Sequence, residues 1–169
     1  MKIQIPINLS QQSIQEAKEK VQQYKNSLEK GCKNGIKKAT ELMYERVVYY
    51  CQQANIVNDI NDIHMEYDEQ KNEGRVWTSN SVIIFNEMGT GITGANNSHP
   101  SPSDSFKSWK YDVNEHGEKG WVYPKKDGTF GWTKGLPSKH MFYDAFNDIK
   151  DELKDYINVE IDKTVGDLY

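Results

Sequence analysis

Long apolar runs are missing from this 169-residue chain, which contains no stretch of 18 apolar residues. A helix needs such a run to cross a bilayer, so we expect no membrane partner. The first ten residues, MKIQIPINLS, also lack the apolar core of a secretory signal, so we expect no signal peptide. Hydrophobic residues make up 36% of the chain. That fraction predicts a modest core and further stabilisation by neighbours in an assembly.

Cysteine is scarce, since Cys32 and Cys51 are the two in the chain. Both fall within a helical pattern, away from any turn that would expose a thiolate. We predict that they are small buried apolar groups in a reduced cytoplasm, and that they form neither a disulfide nor a metal pair.

A strong excess of charge of one sign is also missing, because the net charge is −4. This value does not indicate nucleic-acid binding. The charges are nevertheless uneven, with eight basic and five acidic side chains over residues 13–46, and eight acidic side chains and three lysines over residues 144–167. Two interpretations stay open: solvated helix faces, or complementary surfaces through which different subunits meet.

Motifs of known catalytic or metal chemistry are missing as well. There is no His-x-His, no His-Glu-x-x-His and no paired-cysteine spacing. The glycine run at residues 89–94 is similar to a phosphate loop, but it lacks the Gly-Lys-Ser/Thr ending and no helix obviously follows it. We therefore predict no cofactor, no metal and no enzymatic activity.

A few polar residues could still carry chemistry. Glu87 follows an apolar run, but a lone carboxylate lacks the partner that hydrolysis usually needs. Asp112, Glu115, His116 and Glu118 cluster within seven residues and could hold a metal. A hydrolase or lyase that uses Glu87 with Asp112 and His116 therefore stays open as an alternative. For the turn residues His99 and His116 we predict hydrogen bonds to the loop backbone.

Amphipathic patterns are present at both ends of the chain. After an N-terminal arm over residues 1–12, the run Ser13-Ile14-Gln15-Glu16 fits a capping box that starts a long helix over residues 13–54. Gly31 and Gly35 weaken this helix without changing the phase of its apolar stripe, so we predict one helix with a bend allowed there. A C-terminal helix is predicted over residues 137–163, followed by a tail without periodicity.

Short alternating runs between these helices predict a sheet over residues 62–135. The runs are Ile63–Tyr67, Arg75–Thr78, Val82–Phe85, Gly120–Tyr123 and Thr129–Thr133. The segment 89–119 is predicted to be a long loop, and loops of this length are usually functional. The expected fold class is α+β: a single domain over residues 1–169, in which the two helices pack on a small, mostly antiparallel sheet of four to five strands.

Large aromatic side chains are abundant in the second half of this region, at Trp109, Tyr111, Trp121, Tyr123 and Trp132. Such residues concentrate in the cores of protein interfaces. Base stacking is the alternative, because lysines interleave with the aromatic residues. Acidic residues in the same stretch offset most of that charge, so the sequence favours a protein interface and no specific nucleic-acid binding is expected.

An ordered series of motifs crosses the same region. Its members are Phe85-x-Glu87-x-Gly89-Thr90-Gly91, His99-Pro100, Trp109-x-Tyr111-Asp112, His116-Gly117-x-x-Gly120-Trp121-x-Tyr123, Trp132-Thr133-Lys134-Gly135-x-Pro137-Ser138 and Phe142-Tyr143. The series resembles the tail-completion or head–tail joining proteins of tailed phages and prophages, often labelled minor capsid or virion morphogenesis proteins. The resemblance covers residues 82–153 well and the long helix loosely. Met88, where the family more often has an aromatic residue, and the insertion Ala95–Phe106 depart from it.

The resemblance implies a structural virion protein without catalytic residues, assembled in the cytoplasm of the bacterial host. It implies a ring, expected to hold six copies, that completes the head-proximal end of a tail or phage-tail-like particle. Its partners would be the tail tube protein and a head–neck connector or stopper protein. The residues expected at interfaces are Glu87, Gly89, Gly91, His99, Trp109, Tyr111, Asp112, His116, Trp121 and Lys134.

Overall fold

The computed structural model describes residues 10–101, 107–112, 115–125 and 127–166. Its helices are α1 (Gln11–Gln53), α2 (Ser81–Met88), α3 (Gly91–Asn96), α4 (Met141–Ile149) and α5 (Leu153–Gly166). Its strands are β1 (Ile63–Asp68), β2 (Glu73–Thr78), β3 (Trp121–Pro124) and β4 (Phe130–Thr133). Single 3-10 turns span Ile60–Asp62 and Gly117–Lys119. The predicted α+β class is confirmed. Of the arm predicted over residues 1–12, residues 1–9 lie outside the described residues, and Gln11 and Gln12 belong to α1.

The described strands form two separate two-stranded sheets, β1–β2 and β3–β4, where one sheet of four to five strands was predicted. Four residues join β1 to β2, and so short a connection requires antiparallel strands. β3 and β4 also pair antiparallel, with Val122 opposite Trp132 and Pro124 opposite Phe130.

The chain divides into two compact units, each built from segments that are distant in sequence. Unit 1 contains Met1–Glu41, Glu66–Arg75 and Asp151–Tyr169, and unit 2 contains Leu42–Met65 and Val76–Lys150. The prediction of a single domain stays a prediction.

The long N-terminal helix is confirmed as α1, but it begins earlier than predicted. The backbone N–H of Ser13 donates to Ser10 Oγ at 3.2 Å, so Ser10 caps the helix and Ser13 lies inside it. Ser10 precedes two glutamines and Ser13 precedes an isoleucine and a glutamine, so the sequence alone did not show which serine caps the helix.

The predicted strand Val82–Phe85 is wrong, because this run forms α2. The Asn80 side chain accepts a hydrogen bond from the backbone N–H of Val82 at 2.8 Å and thereby caps a helix. The buried side chains of Ile83 and Asn86 follow at helical spacing. The pattern of a short apolar run is the same for a strand and for a buried helix. In this chain the Asn80 cap favours the helix.

The predicted continuous helix over residues 137–163 is also wrong, because α4 and α5 are separated by Lys150–Glu152. The backbone N–H groups of Asp155 and Tyr156 donate to the Glu152 carbonyl at 2.9 and 3.0 Å and start the new helix. Acidic residues destabilise a helix C-terminus and stabilise an N-terminus, so Asp151 and Glu152 favour the break. α5 then continues through Gly166, which makes the first two residues of the predicted tail helical.

The core of unit 2 forms around the second half of α1. It consists of fully or almost fully buried apolar residues: Val47, Cys51, Ile56, Ile63, Ile83, Met141 and Ala145. Both cysteines are free thiols; Cys51 is buried and Cys32 is partly buried. None of the helices in the described part of the chain is long and apolar enough to cross a membrane.

In unit 1, glycines allow α1 and α5 to approach each other closely. A Cβ atom on Gly35 would lie 2.7 Å from the Cα of Ile157, and one on Gly31 would lie 2.6 Å from the Cα of Ile161. Real Cβ atoms do not approach backbone this closely, so any larger residue must push the helices apart. The two glycines that weaken α1 in isolation therefore enable its packing.

We predict that Gly35→Ala lowers the free energy of unfolding. Alanine usually stabilises a helix by about 1 kcal/mol relative to glycine, but overpacking costs about 1–3 kcal/mol. Asn34→Ala, at an exposed position one residue away, is the matched control and should be neutral or stabilising. Chemical denaturation measures both variants. A Gly35→Ala protein more stable than the wild type would contradict the close contact.

Candidate functional site

Glu87, which was predicted at an interface and is the central residue of the hydrolase alternative, caps a helix. Its carboxylate accepts hydrogen bonds from the backbone N–H groups of Phe142 at 2.9 Å and Tyr143 at 3.2 Å. These are among the first N–H groups of α4, which have no partners within the helix. His140 precedes α4 in a left-handed conformation and makes no side-chain cap of its own. Glu87 therefore supplies the N-terminal cap of α4 from the last turn of α2.

The bonding between α2 and α4 is reciprocal. The Glu87 carbonyl accepts a hydrogen bond from Ser138 Oγ, and the Asn86 carbonyl accepts one from the backbone N–H of Lys139 at 2.7 Å. Carbonyls at a helix C-terminus also lack partners within their helix. The backbone groups that lack partners at the end of α2 and at the start of α4 are thus hydrogen-bonded across the junction.

His99 is held between Glu87 and its own loop. Its Nδ1 atom accepts a hydrogen bond from the backbone N–H of Ser101 at 3.1 Å, so this atom carries no proton. The proton therefore resides on Nε2, which donates to Glu87 Oε1 at 3.0 Å. The side chains of His99 and Glu87 are 5% and 14% exposed. The prediction that His99 bonds the loop backbone is confirmed.

The cluster of Glu87, His99 and Ser101 contains the residue types of a hydrolytic triad but not its bonding. A catalytic histidine needs one ring nitrogen directed at a nucleophile or water. Both ring nitrogens of His99 are engaged, and Nδ1 faces a backbone amide. The nearby Cys51 thiol forms little of the reactive thiolate. Burial, together with the negative charge of Glu87, raises its pKa to about 11. A cleft of about 410 Å³ borders this cluster.

The glycine run at residues 89–94 is fixed by the chain on both sides. Thr90 and Leu136 exchange backbone hydrogen bonds at 2.8 and 3.1 Å, and the backbone N–H of Thr93 donates to the Lys134 carbonyl. Gly91 has a φ of 61°, and its N–H donates to the Tyr111 carbonyl at 2.6 Å. Contrary to the expectation from sequence, a helix does form here: α3 begins within the run at Gly91, inside the segment 89–119 that was predicted as a long loop. Protein carbonyls already accept the N–H groups of Gly91 and Thr93 at its start.

Trp109 is bonded to the folded part of this region. Its indole N–H donates to the Gly89 carbonyl at 2.9 Å, and its ring packs against Phe85 at a centroid distance of 6.0 Å. The side chain is half-buried. Trp109 was predicted as an interface residue, and the structure shows that it also connects the loop to the glycine turn.

Asp112 organises the turn before β3. Its carboxylate accepts hydrogen bonds from the backbone N–H groups of His116, at 2.9 Å, and Gly117. The His116 ring packs on Trp121 at 5.2 Å, while its backbone makes the loop contacts. Among the described residues, no three histidine, cysteine, aspartate or glutamate side chains are arranged to hold a metal ion.

Several of the predicted residues meet around one pocket of about 590 Å³, the aromatic pocket. Its walls combine five aromatic rings with a few polar side chains and Leu136, and its size lies within the range of ligand sites. The lining residues are Phe85, Thr90, Trp109, Lys110, Tyr111, Asp112, His116, Trp121, Tyr123, Thr133, Gly135 and Leu136. The sequence predicted five of them, Trp109, Tyr111, Asp112, His116 and Trp121, as interface residues.

The β3–β4 hairpin carries apolar side chains on both faces. The inner face, Trp121, Tyr123, Gly131 and Thr133, includes three residues that line the aromatic pocket. The outer face consists of Val122, Pro124, Phe130 and Trp132. Three of its side chains are largely exposed, with values of 63% for Val122, 72% for Phe130 and 58% for Trp132.

The outer face was not predicted from the sequence as a surface, although Trp132 was among the aromatic residues expected at an interface. The signal for it was the pattern of the two strands, because Phe130 and Trp132 alternate with Gly131 and Thr133 in β4 and so lie on one face of the hairpin. Of the remaining predicted residues, Lys134 lies beside this face, with its Nζ 5.8 Å from the Trp132 ring centroid. Glu87 and His99 lie in the cluster with Ser101 described above. Gly89 and Gly91 lie in the glycine turn, which is the run at residues 89–94.

We predict that Glu87→Ala lowers the free energy of unfolding by about 1–3 kcal/mol, because it leaves the partly buried N–H donors of Phe142 and Tyr143 without this acceptor. Glu87→Gln keeps one carbonyl acceptor and should cost less. Chemical denaturation measures the two variants against the wild type. Equal stability of all three proteins would contradict the capping role.

We predict that Trp109→Ala destabilises the isolated protein by about 2–3 kcal/mol, somewhat less than for a fully buried tryptophan. Trp109→Phe keeps the ring packing on Phe85 and loses one hydrogen bond, so it should cost about 1 kcal/mol. Thermal unfolding of both variants tests this order. An unchanged melting temperature for Trp109→Ala would show that the ring contributes nothing to the fold.

Comparison with known proteins does not identify a family for this chain. No protein-family model, no curated protein and no solved structure matches the chain.

Proposed function

We propose that this chain is a structural subunit of a phage tail or phage-tail-like particle, which completes the head-proximal end of the tail and joins it to the neck. The main observation behind this proposal is the exposed apolar outer face of the β3–β4 hairpin. Contiguous exposed apolar surface marks sites of protein interaction. Together with the motif order over residues 85–143, this surface favours an assembly role.

The bonding of the two principal carboxylates supports the same role. Glu87 caps α4 and Asp112 holds the turn before β3, so both act on backbone N–H groups. These are the residues that the hydrolase alternative requires. Because both carboxylates hold the backbone in place, their hydrogen bonds support a structural role over acid–base chemistry.

A ring places a further demand on the subunit. Contacts in a ring are head-to-tail, so each copy needs two different and complementary surfaces. The proposed ring holds six copies, located between the tail tube protein and the connector or stopper protein. It forms in the cytoplasm of the bacterial host and remains in the virion.

We predict that Phe130→Ser prevents completion of particles without changing the stability of the isolated protein. An aromatic anchor in an interface contributes about 2 kcal/mol or more, whereas substitutions at exposed sites usually change stability by less than about 0.5 kcal/mol. Val57→Ser, at another exposed apolar residue of unit 2, is the control and should assemble normally. Electron microscopy of particles made with each variant, together with thermal unfolding, provides the two measurements.

Two results would count against the proposal. One is a full yield of joined particles from a host that lacks the chain altogether. The other is a turnover by the wild-type chain, in assays of sugar, phosphodiester or peptide hydrolysis, that Glu87→Gln abolishes while the protein stays folded. The second result would favour the hydrolase alternative.

A further inference from the structure

The outer face and the aromatic pocket lie on opposite sides of the same hairpin. Trp121, Tyr123 and Thr133 point to the pocket, and the residues that alternate with them form the outer face. Successive side chains of a strand point in opposite directions. The outer face of one copy therefore cannot enter its own pocket, although both surfaces are apolar and aromatic.

We propose that the outer face of one copy docks into the aromatic pocket of the next copy, head to tail. This inference rests on the proposed function and names the two surfaces of the repeating contact. Phe130 and Trp132 provide the inserted rings, and Trp109, Tyr111 and Trp121 provide the walls that receive them. Aromatic rings favour edge-to-face and offset contacts with one another, which such a pocket provides.

The sizes of the two surfaces agree. The pocket holds about 590 Å³, which is within the range of cavities that enclose a compact group. Two aromatic side chains bury about 300–500 Å² when covered. That area is smaller than the roughly 800 Å² per partner of a stable protein pair, so a single contact is weak and needs repetition in a closed assembly.

The charges around the surfaces are complementary. Lys125 and Lys134 flank the outer face, and Lys134 lies over the ring of Trp132. The segment 110–119, which borders the pocket, carries Asp112, Glu115 and Glu118 against Lys110 and Lys119, an excess of one acidic side chain. The lysine-flanked face is therefore attracted to a segment with a small acidic excess, whereas two lysine-flanked outer faces would repel each other.

Two single substitutions separate the surfaces. Phe130→Lys places a charge on the outer face at a residue that is 72% exposed, and leaves the pocket intact. Leu136→Lys places a charge at the pocket, at a side chain that is 40% exposed, and keeps the backbone bonds between Leu136 and Thr90. Val57→Lys is the matched control at an exposed apolar residue of the same unit. Thermal unfolding verifies that all three proteins are folded.

Sedimentation velocity at concentrations up to about 1 mM then measures self-association, since weak contacts become populated in this range. We expect the wild type and Val57→Lys to form a concentration-dependent series of oligomers. Each pocket or outer-face variant alone should associate at least about tenfold more weakly. An equal mixture of Phe130→Lys and Leu136→Lys should form dimers that do not grow, because each pair retains one intact pocket and one intact outer face.

Other outcomes overturn the inference. Association that depends on Phe130 but not on Leu136 would show that two outer faces meet, or that the face contacts another site. A mixture that stays monomeric while the wild type associates, or a wild type that stays monomeric at every concentration, would remove the head-to-tail contact. If particles still require the chain in these cases, the structural role stands and the outer face belongs to a different protein of the tail.

Discussion

The Glu87 carboxylate lies at the junction on which unit 2 depends. It joins the end of α2 to the start of α4, and it fixes the protonated ring nitrogen of His99. Residues 138–140 return bonds to the carbonyls of α2. A charged group that is 14% exposed is stabilised here by N–H donors and by the positive end of a helix dipole. These three hydrogen bonds occupy most of the roughly four acceptor positions of the carboxylate.

The glycine turn extends this junction toward the surface. Residues 89–94 pass so close to residues 134–138 that side chains at Gly91 or Gly135 would collide with the facing backbone. Their bonds fix the position of β4, which leads directly into residues 134–138. Trp109 donates to the same turn from the other side. A rigid frame of backbone bonds therefore holds the aromatic pocket and presents the hairpin that borders it.

The sequence predicted the long helix and the β3–β4 hairpin, because periodicity and turn chemistry are local signals. It also singled out five of the pocket residues, as interface residues, without predicting a pocket. It did not predict α2, where the choice between helix and strand was decided by one capping side chain, Asn80. It did not predict that Glu87 caps α4, because the sequence does not show which backbone N–H groups a carboxylate at the end of an element will meet. The exposure of Phe130 depends on which hairpin face the pocket covers, and that is a tertiary property. The use of Gly31 and Gly35 as contact points likewise appears only when α5 is placed beside them.

The contact between α1 and α5 has a consequence for the order of folding. It brings residues 31–35 together with residues 157–161, which are separated by more than one hundred positions. During synthesis every segment of unit 2 leaves the ribosome before α5, and long-range contacts of this kind close late. The first half of α1 must therefore wait, with its glycine surface uncovered, until α5 has been made. A nascent chain that stalls within unit 2 would leave that surface uncovered.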